Sequence, residues 1–174
     1  HNSTQDMTIR YSTVGIVGTG AMGRGIAQIA AQAGSTVQLF DLNPEACRQA
    51  HAAITAQWDK LQDKGRIDAA TADAYKTRLQ TAASLGDLHN CDLVVEAAVE
   101  RLDIKQSLFA QLEDIVRPDA VLVTNTSSLS VTAIAAGLKR PAQFAGYHFF
   151  NPVPLMKVVE VIAGLKTDAA VCAG

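Results

Sequence analysis

The sequence has no long apolar run, few cysteines and no excess of basic charge. A bilayer-spanning helix needs about 20 predominantly apolar residues, and the longest uncharged stretch without turn residues is far shorter. We therefore expect no membrane segment. Fifteen Lys and Arg against seventeen Asp and Glu give a net charge of −2. No basic cluster could follow a phosphate backbone, so nucleic acid is not an expected partner.

Three widely spaced cysteines, Cys47, Cys91 and Cys172, form no C-x-x-C pair. This pattern fits neither a disulfide framework nor a zinc site, so we expect no metal and a reducing, cytoplasmic location. We assign the cysteines to packing or to the surface. Residues 1–11 read as a tag remnant and an N-terminal arm, because a polar segment precedes Met7, and we expect no signal peptide.

Short β-branched runs alternate with alanine-rich helical segments in a chain that is 48% hydrophobic. The alternation predicts an α/β fold with a doubly wound, mostly parallel sheet, because strands that are apolar on both faces need helices on both sides. The predicted strands are Thr13–Val17, Thr36–Phe40, Asp92–Glu96, Ala120–Thr124, Gln143–Phe149 and a C-terminal antiparallel strand, Met156–Ile162.

Helical spacing of apolar residues predicts helices between these strands. Ala21–Ala33 stops at Gly34, Asn43-Pro44 starts a long helix that runs to Gly65, and a second helix over Asp68–Thr81 completes an inserted helical hairpin. Ser130 is expected to cap a short helix that ends at Ala136. We expect one domain over residues 12–164 and a linker stub over 165–174.

Gly18, Gly20 and Gly23 form the pattern G-x-G-x-x-G after the first strand, with Thr19, Ala21 and Met22 between them. Such a turn carries a pyrophosphate on a helix N-terminus. Asp41 ends the second strand, where a carboxylate binds a ribose and repels a 2′-phosphate, so the pattern favours NAD over NADP. The alternatives are an ordinary small-residue turn and a helix-capping acid.

His148 ends an apolar strand, and Glu160 lies twelve residues further on, symmetric about Pro154. If the prolines between them reverse the chain, the two side chains face each other across a hairpin. A carboxylate behind an imidazole prepares it to act as a base. A hydrogen-bonded core histidine is the alternative. The polar run Thr124–Ser128 follows a buried strand and is either a ligand-binding loop or a capping turn.

Four segments together resemble the NAD-dependent 3-hydroxyacyl-CoA dehydrogenases. They are VGIVGTGAMGRGIAQ (14–28), DLVVEAAVE (92–100), NTSSL (125–129) and HFFNPVPLMKVVEVI (148–162). The resemblance spans about Ser12 to Ala163 and implies a Rossmann-type fold and an oxidoreductase. It also implies that His148 is the catalytic base, that Glu160 orients it and that Ser127 binds the substrate oxygen.

The resemblance assigns further positions to ligands. It implies that Glu100 and Lys105 line the NAD site, with Asn125 and Asn151 near the nicotinamide, and that Lys64 contacts the phosphates of coenzyme A. A solvated charge pair, turn-forming amides and a solvated helix-end lysine are the alternatives. Gln57 replaces a serine that some relatives carry near coenzyme A.

Family members continue into a helical domain that dimerises and covers the acyl site, so we expect this chain to be the cofactor-binding part of a homodimeric enzyme. The expected reaction converts (S)-3-hydroxyacyl-CoA and NAD to 3-oxoacyl-CoA and NADH, as in fatty-acid β-oxidation or short-chain acyl-CoA metabolism. The alternatives are a 3-hydroxyadipyl-CoA dehydrogenase of aromatic-acid breakdown and a non-catalytic NADH-binding protein of the lambda-crystallin kind.

Overall fold

A computed structural model describes residues 11–97, 101–125 and 128–147 of the 174-residue chain. Five helices and six strands alternate along this part of the chain, which confirms the α/β prediction. The strands are β1 (Thr13–Val17), β2 (Thr36–Phe40), β3 (Leu79–Thr81), β4 (Leu93–Glu96), β5 (Val121–Asn125) and β6 (Phe144–Tyr147). The helices are α1 (Ala21–Gln32), α2 (Pro44–Asp63), α3 (Ala69–Arg78), α4 (Leu102–Ile115) and α5 (Ser128–Ala136), with 3₁₀ turns at Leu85–Leu88 and Pro141–Gln143.

The six strands form one sheet in the order β3-β2-β1-β4-β5-β6, and every neighbouring pair is parallel. The chain first winds outward from β1 to β3 and then crosses back to β4 on the other side of β1. This reversal confirms the doubly wound sheet and opens a crevice at the carboxyl ends of β1 and β4. The predicted antiparallel strand over 156–162 lies outside the described residues.

Helices cover both faces of the sheet. On one face α1 and α2 bury Ile26, Ala27, Ile54 and Trp58 against strand residues such as Ile16. On the other face α4 and α5 bury a second cluster, which includes Leu108, Phe109, Leu112, Ile134 and Phe144. The strands are therefore apolar on both sides, as their sequences require. Among the described helices, none combines the length and the apolar character that crossing a bilayer demands.

Glycine ends two of the helices as predicted. Gly34 follows α1 with φ +110°, and Gly65 follows α2 with φ +72°. After α1, the N–H of Ser35 bonds the carbonyl of Ala30 at 3.0 Å, and that of Gly34 bonds Ala31 at 3.2 Å. These two bonds make a Schellman motif, which needs a left-handed residue that glycine supplies without steric cost.

The two-helix connection differs from its prediction at one end. Asn43 caps α2 through its side-chain oxygen, as expected. Asp68, the first residue of the second predicted helix, is instead the cap of α3, which starts at Ala69. The prediction of helix through Thr81 is wrong, however, because α3 ends at Arg78 and Leu79 begins β3. The hairpin is thus the crossover between β2 and an edge strand that the sequence did not reveal.

Helix α5 begins two residues before the predicted cap. It starts at Ser128, so Ser130 lies within its first turn and does not precede it. The strand predicted over 143–149 starts at Phe144, since Gln143 belongs to a 3₁₀ turn. The remaining strands and helices within the described ranges agree with the prediction to within two residues.

Candidate functional site

The turn between β1 and α1 combines a glycine with positive φ, a glycine with free space around it and a closely packed glycine. Gly18 has φ +102°, and its N–H bonds the carbonyl of Phe40 at 2.9 Å. A Cβ on Gly23 would lie 1.9 Å from the Gly18 carbonyl oxygen, whereas a Cβ on Gly20 would meet nothing within 4 Å. The turn therefore packs against the helix at Gly23 and leaves free space at Gly20.

The free space lies at the start of α1, where backbone N–H groups are available. The first N–H groups of any α-helix lack intrahelical acceptors, and in α1 these belong to Ala21, Met22 and Gly23. No acidic side chain stands in this first turn. Among the residues that the structure describes, no side chain caps this helix N-terminus and a Cβ on Gly20 would meet nothing, so the turn suits the pyrophosphate of a dinucleotide.

Asp41 lies at the carboxyl end of β2, beside the turn. Its Oδ2 accepts hydrogen bonds from the Thr19 backbone N–H at 3.0 Å and from the Thr19 hydroxyl at 2.7 Å. Its Oδ1 accepts from the Asn43 N–H at 2.9 Å. The carboxylate is thus held in place next to the turn, and it is only partly buried. It can still accept hydrogen bonds from ribose hydroxyls, and its charge opposes a 2′-phosphate.

A cavity of about 370 Å³ opens between the carboxyl end of β2 and α4. Apolar side chains line most of it, among them Val17, Phe40, Leu42, Ile104 and Leu108. Leu42 is 70% exposed although it is a large apolar residue. An apolar cleft at this edge of the sheet has the chemistry that a flat aromatic base requires.

A buried ion pair lies on the other side of β1, at the carboxyl ends of β4 and β5. Lys105 Nζ is 2.9 Å from Glu96 Oε1, with side-chain exposures of 4% and 0%. The Thr124 hydroxyl donates to the same Glu96 oxygen at 2.6 Å, and Lys105 donates to the Asn125 carbonyl at 3.1 Å. Sequence reasoning proposed Lys105 and Asn125 but missed Glu96, whose position within an apolar strand was the available signal.

Asn125 also approaches the first turn of α1, since its Nδ2 lies 3.1 Å from the Met22 sulfur. The structure therefore brings together the residues of the glycine turn, Asp41, Lys105 and Asn125 along one edge of the sheet. Lys64 is not among them. It is exposed at the far end of α2, and twenty residues of helix span about 30 Å.

Several predicted site residues lie outside the described residues: Glu100, Ser127, His148, Asn151 and Glu160. Their assignments stay predictions. Cys47 and Cys91 are both buried and free. Burial raises the pKa of the Cys47 thiol, and burial raises that of Cys91 to about 12. Both thiols are therefore protonated near neutral pH, which agrees with their assignment to packing.

The strand order, the glycine turn and the carboxylate at the end of β2 define a dinucleotide-binding domain of the Rossmann type. Its family is shown by sequence comparison: the profile described as "3-hydroxyacyl-CoA dehydrogenase, NAD binding domain" matches residues 13–174. The chain belongs to this family, and its cofactor is NAD.

Individual relatives carry names that agree with this family. The chain is 46% identical over 165 residues to a 3-hydroxyadipyl-CoA dehydrogenase of Escherichia coli K12, covering 95% of this chain and 35% of the relative. It is 46% identical to a probable 3-hydroxybutyryl-CoA dehydrogenase of Deinococcus radiodurans, covering 88% of this chain and 55% of that protein. The crystal structure of an Escherichia coli K12 3-hydroxybutyryl-CoA dehydrogenase superposes with a TM-score of 0.79 at 39% identity, over 92% of this chain and 37% of that one. The chain thus spans between a third and about half of these relatives.

Proposed function

We propose that this chain is the NAD-binding part of an enzyme that reversibly oxidises (S)-3-hydroxyacyl-CoA to 3-oxoacyl-CoA. The observation that carries the proposal is the turn from Gly18 to Gly23 with Asp41 hydrogen-bonded beside it. Membership of the family and the names of the relatives support the substrate class.

The proposed cofactor site extends along the carboxyl edge of the sheet. The N–H groups at the start of α1 hold the pyrophosphate, and Asp41 accepts hydrogen bonds from the hydroxyls of the adenosine ribose. The apolar cleft that includes Leu42 and Ile104 takes the adenine ring. The other nucleotide extends toward β4 and β5, near Lys105 and Asn125. When bound, NAD supplies the acceptor for the hydride.

The proposed proton chemistry belongs to His148, Glu160 and Ser127. His148 takes the proton of the substrate 3-hydroxyl, and Glu160 stabilises the imidazolium that results. Ser127 donates a hydrogen bond to the same substrate oxygen. The support for these roles is the position of each residue in sequence motifs of the family. Ser127 is two residues after Asn125, the last residue of β5, which belongs to the proposed site.

Other parts of the proposal concern the substrate carrier and the assembly. Lys64 is exposed at the end of α2, where a flexible cation can reach the phosphates of coenzyme A. A homodimer formed through a further domain and a cytoplasmic location are also proposed, on the resemblance and on the cysteine pattern respectively.

The test replaces the proposed base in the complete protein. His148→Gln should lower the rate of acetoacetyl-CoA reduction by about 10²- to 10⁴-fold, because a general base is lost, while NADH binding persists. His89→Gln is the matched control, since His89 is exposed at the end of a 3₁₀ turn that precedes β4. Equal rates in His148→Gln and the parent would contradict the assigned base.

A parent protein that binds NADH and reduces no 3-oxoacyl-CoA would indicate the non-catalytic alternative. Among active outcomes, the acyl group distinguishes the relatives, because a 3-hydroxyadipyl-CoA enzyme and a probable 3-hydroxybutyryl-CoA enzyme are equally similar to this chain. Comparing kcat/KM for 3-hydroxybutyryl-CoA, longer chains and 3-hydroxyadipyl-CoA decides between them.

A further inference from the structure

The Glu96 and Lys105 side chains form a nearly water-free ion pair at the carboxyl edge of the sheet. Glu96 is in register with Val17 on β1 and with Thr124 on β5, so it lies between the glycine turn and the end of β5. The Lys105 ammonium is 2.9 Å from its carboxylate, and the two side chains are 4% and 0% exposed. Burying two charges is costly, and well-packed apolar residues often serve stability equally well. Stability alone therefore gives no reason for the pair.

The strand order places this pair on the opposite side of β1 from Asp41. Asp41 ends β2 and the glycine turn ends β1, so the adenosine and the pyrophosphate occupy that side of the crevice. The second nucleotide must then continue across β1 toward β4 and β5. Lys105 reaches the same place, because its ammonium donates to the carbonyl of Asn125 at the end of β5. This step rests on the proposed binding of NAD.

The charge of the pair matters because the two forms of the cofactor differ in charge at this end. The oxidised nicotinamide ring carries one positive charge and the reduced ring carries none. An uncompensated ammonium near the ring would disfavour the oxidised form, and in a buried site water screens the effect little. We propose that Glu96 is a positioning residue that neutralises Lys105, so that the ammonium holds the end of β5 without opposing oxidised NAD.

The experiment measures dissociation constants for both cofactor forms in the complete protein. Glu96→Gln keeps the shape of the side chain and removes its charge, so the ratio of the NAD⁺ constant to the NADH constant should rise about tenfold, the order of effect that one uncompensated unit charge has on a nearby cation at an effective dielectric constant of about 20. Lys105→Met should lower that ratio, because a carboxylate without its partner favours the cationic ring. The double variant should return to within about twofold of the parent.

A matched control uses another buried carboxylate. Glu113 is 4% exposed and accepts hydrogen bonds from the backbone N–H groups of Lys139 and Arg140 at 2.8 Å and 2.5 Å. It lies in the last turn of α4, away from the carboxyl edge. Glu113→Gln should therefore leave the ratio unchanged even if it lowers stability.

The opposite signs separate this inference from a purely structural role, which would weaken both forms equally. Ratios that stay within twofold, or that move in the same direction in both single variants, would overturn it. If only one single variant folds, the direction of its shift decides. If neither folds, the pair serves folding and the inference fails. A parent that binds no NADH would contradict the proposed function instead.

Discussion

At the residue scale, spacing in the sequence reveals the glycines and Asp41, because the turn and the strand end lie close together along the chain. The contacts between the site residues cannot be predicted from spacing in this way. The bonds from Thr19 to Asp41 and from Lys105 to Glu96 join separate elements, and they depend on strand register and helix placement. Glu96 is an unexpected residue in an apolar strand, and only the folded structure shows that Lys105 pairs with it.

Gly23→Ala should disrupt the turn. The added Cβ would lie 1.9 Å from the Gly18 carbonyl oxygen, so the helix or the turn has to move. We expect the variant to lose most of its NADH binding, measured by fluorescence titration, and to unfold at lower urea concentration. Gly25→Ala is the control two residues along α1, where a Cβ meets nothing within 4 Å. It should bind normally and gain up to about 1 kcal/mol of stability, and equal behaviour of the two variants would contradict the account.

Asp41→Asn should weaken NADH binding about tenfold or more, because hydrogen bonds to a charged group contribute about 1.5–3 kcal/mol. It should also reduce the preference for NADH over NADPH, since the charge that repels a 2′-phosphate is gone. Titrations with both cofactors measure the two effects. Asp63 is exposed at the far end of α2, so the control variant Asp63→Asn should alter neither. An unchanged preference for NADH in Asp41→Asn would contradict the proposal that this carboxylate binds the ribose.

At the element scale, the sequence shows long helices and buried strands more clearly than short edges. β3 is only three residues long, and two of them, Gln80 and Thr81, are exposed, so it carries no apolar alternation of its own. Ser130 looked like a helix cap because it precedes an apolar run, yet α5 starts at Ser128. β3 is defined by its parallel pairing with β2, which local residues do not reveal.

Trp58→Phe should test how α2 docks on α1. Trp58 is fully buried, and its Nε1 donates to the Gln32 side chain at 2.9 Å. We expect a loss of about 1–3 kcal/mol in the free energy of unfolding, from the missing hydrogen bond and the smaller ring. NADH binding should stay close to that of the parent, because the contact lies away from the glycine turn. Gln62→Ala, at an exposed position of the same helix, should change stability by no more than about 0.5 kcal/mol.

At the scale of the whole molecule, the alternation of strands and helices predicts the doubly wound sheet but leaves the strand order open. Long-range contacts decide the order, and one set lies at the amino-terminal edge, opposite the glycine turn. Asp92 accepts hydrogen bonds from the Ser12 hydroxyl at 2.8 Å and the Thr13 N–H at 2.9 Å, and it pairs with Arg117. It thereby joins the starts of β1, β4 and β5.

Acid should weaken this junction. Burial opposes ionisation of Asp92, but hydrogen bonds from Ser12, Thr13 and Arg117 outweigh it and hold the pKa below the ordinary value. A depressed folded-state pKa stabilises the protein above the unfolded value of about 3.9, and the gain is lost as the pH falls through the folded pKa. Asp92→Asn should therefore be less stable than the parent at pH 7 and lose less on acidification from about pH 5, in urea unfolding at several pH values. A parallel decline in both proteins would contradict this role.

The proposed cofactor site and the Glu96 inference both depend on the direction in which NAD lies across the sheet. A crystal structure of the complete protein with bound NAD measures it directly. We predict the pyrophosphate at the start of α1, the adenosine ribose on Asp41 with adenine in the cleft beside Leu42, and the nicotinamide over β4 and β5. A nicotinamide on the β2 side, or a cofactor bound away from the turn between β1 and α1, would contradict the account.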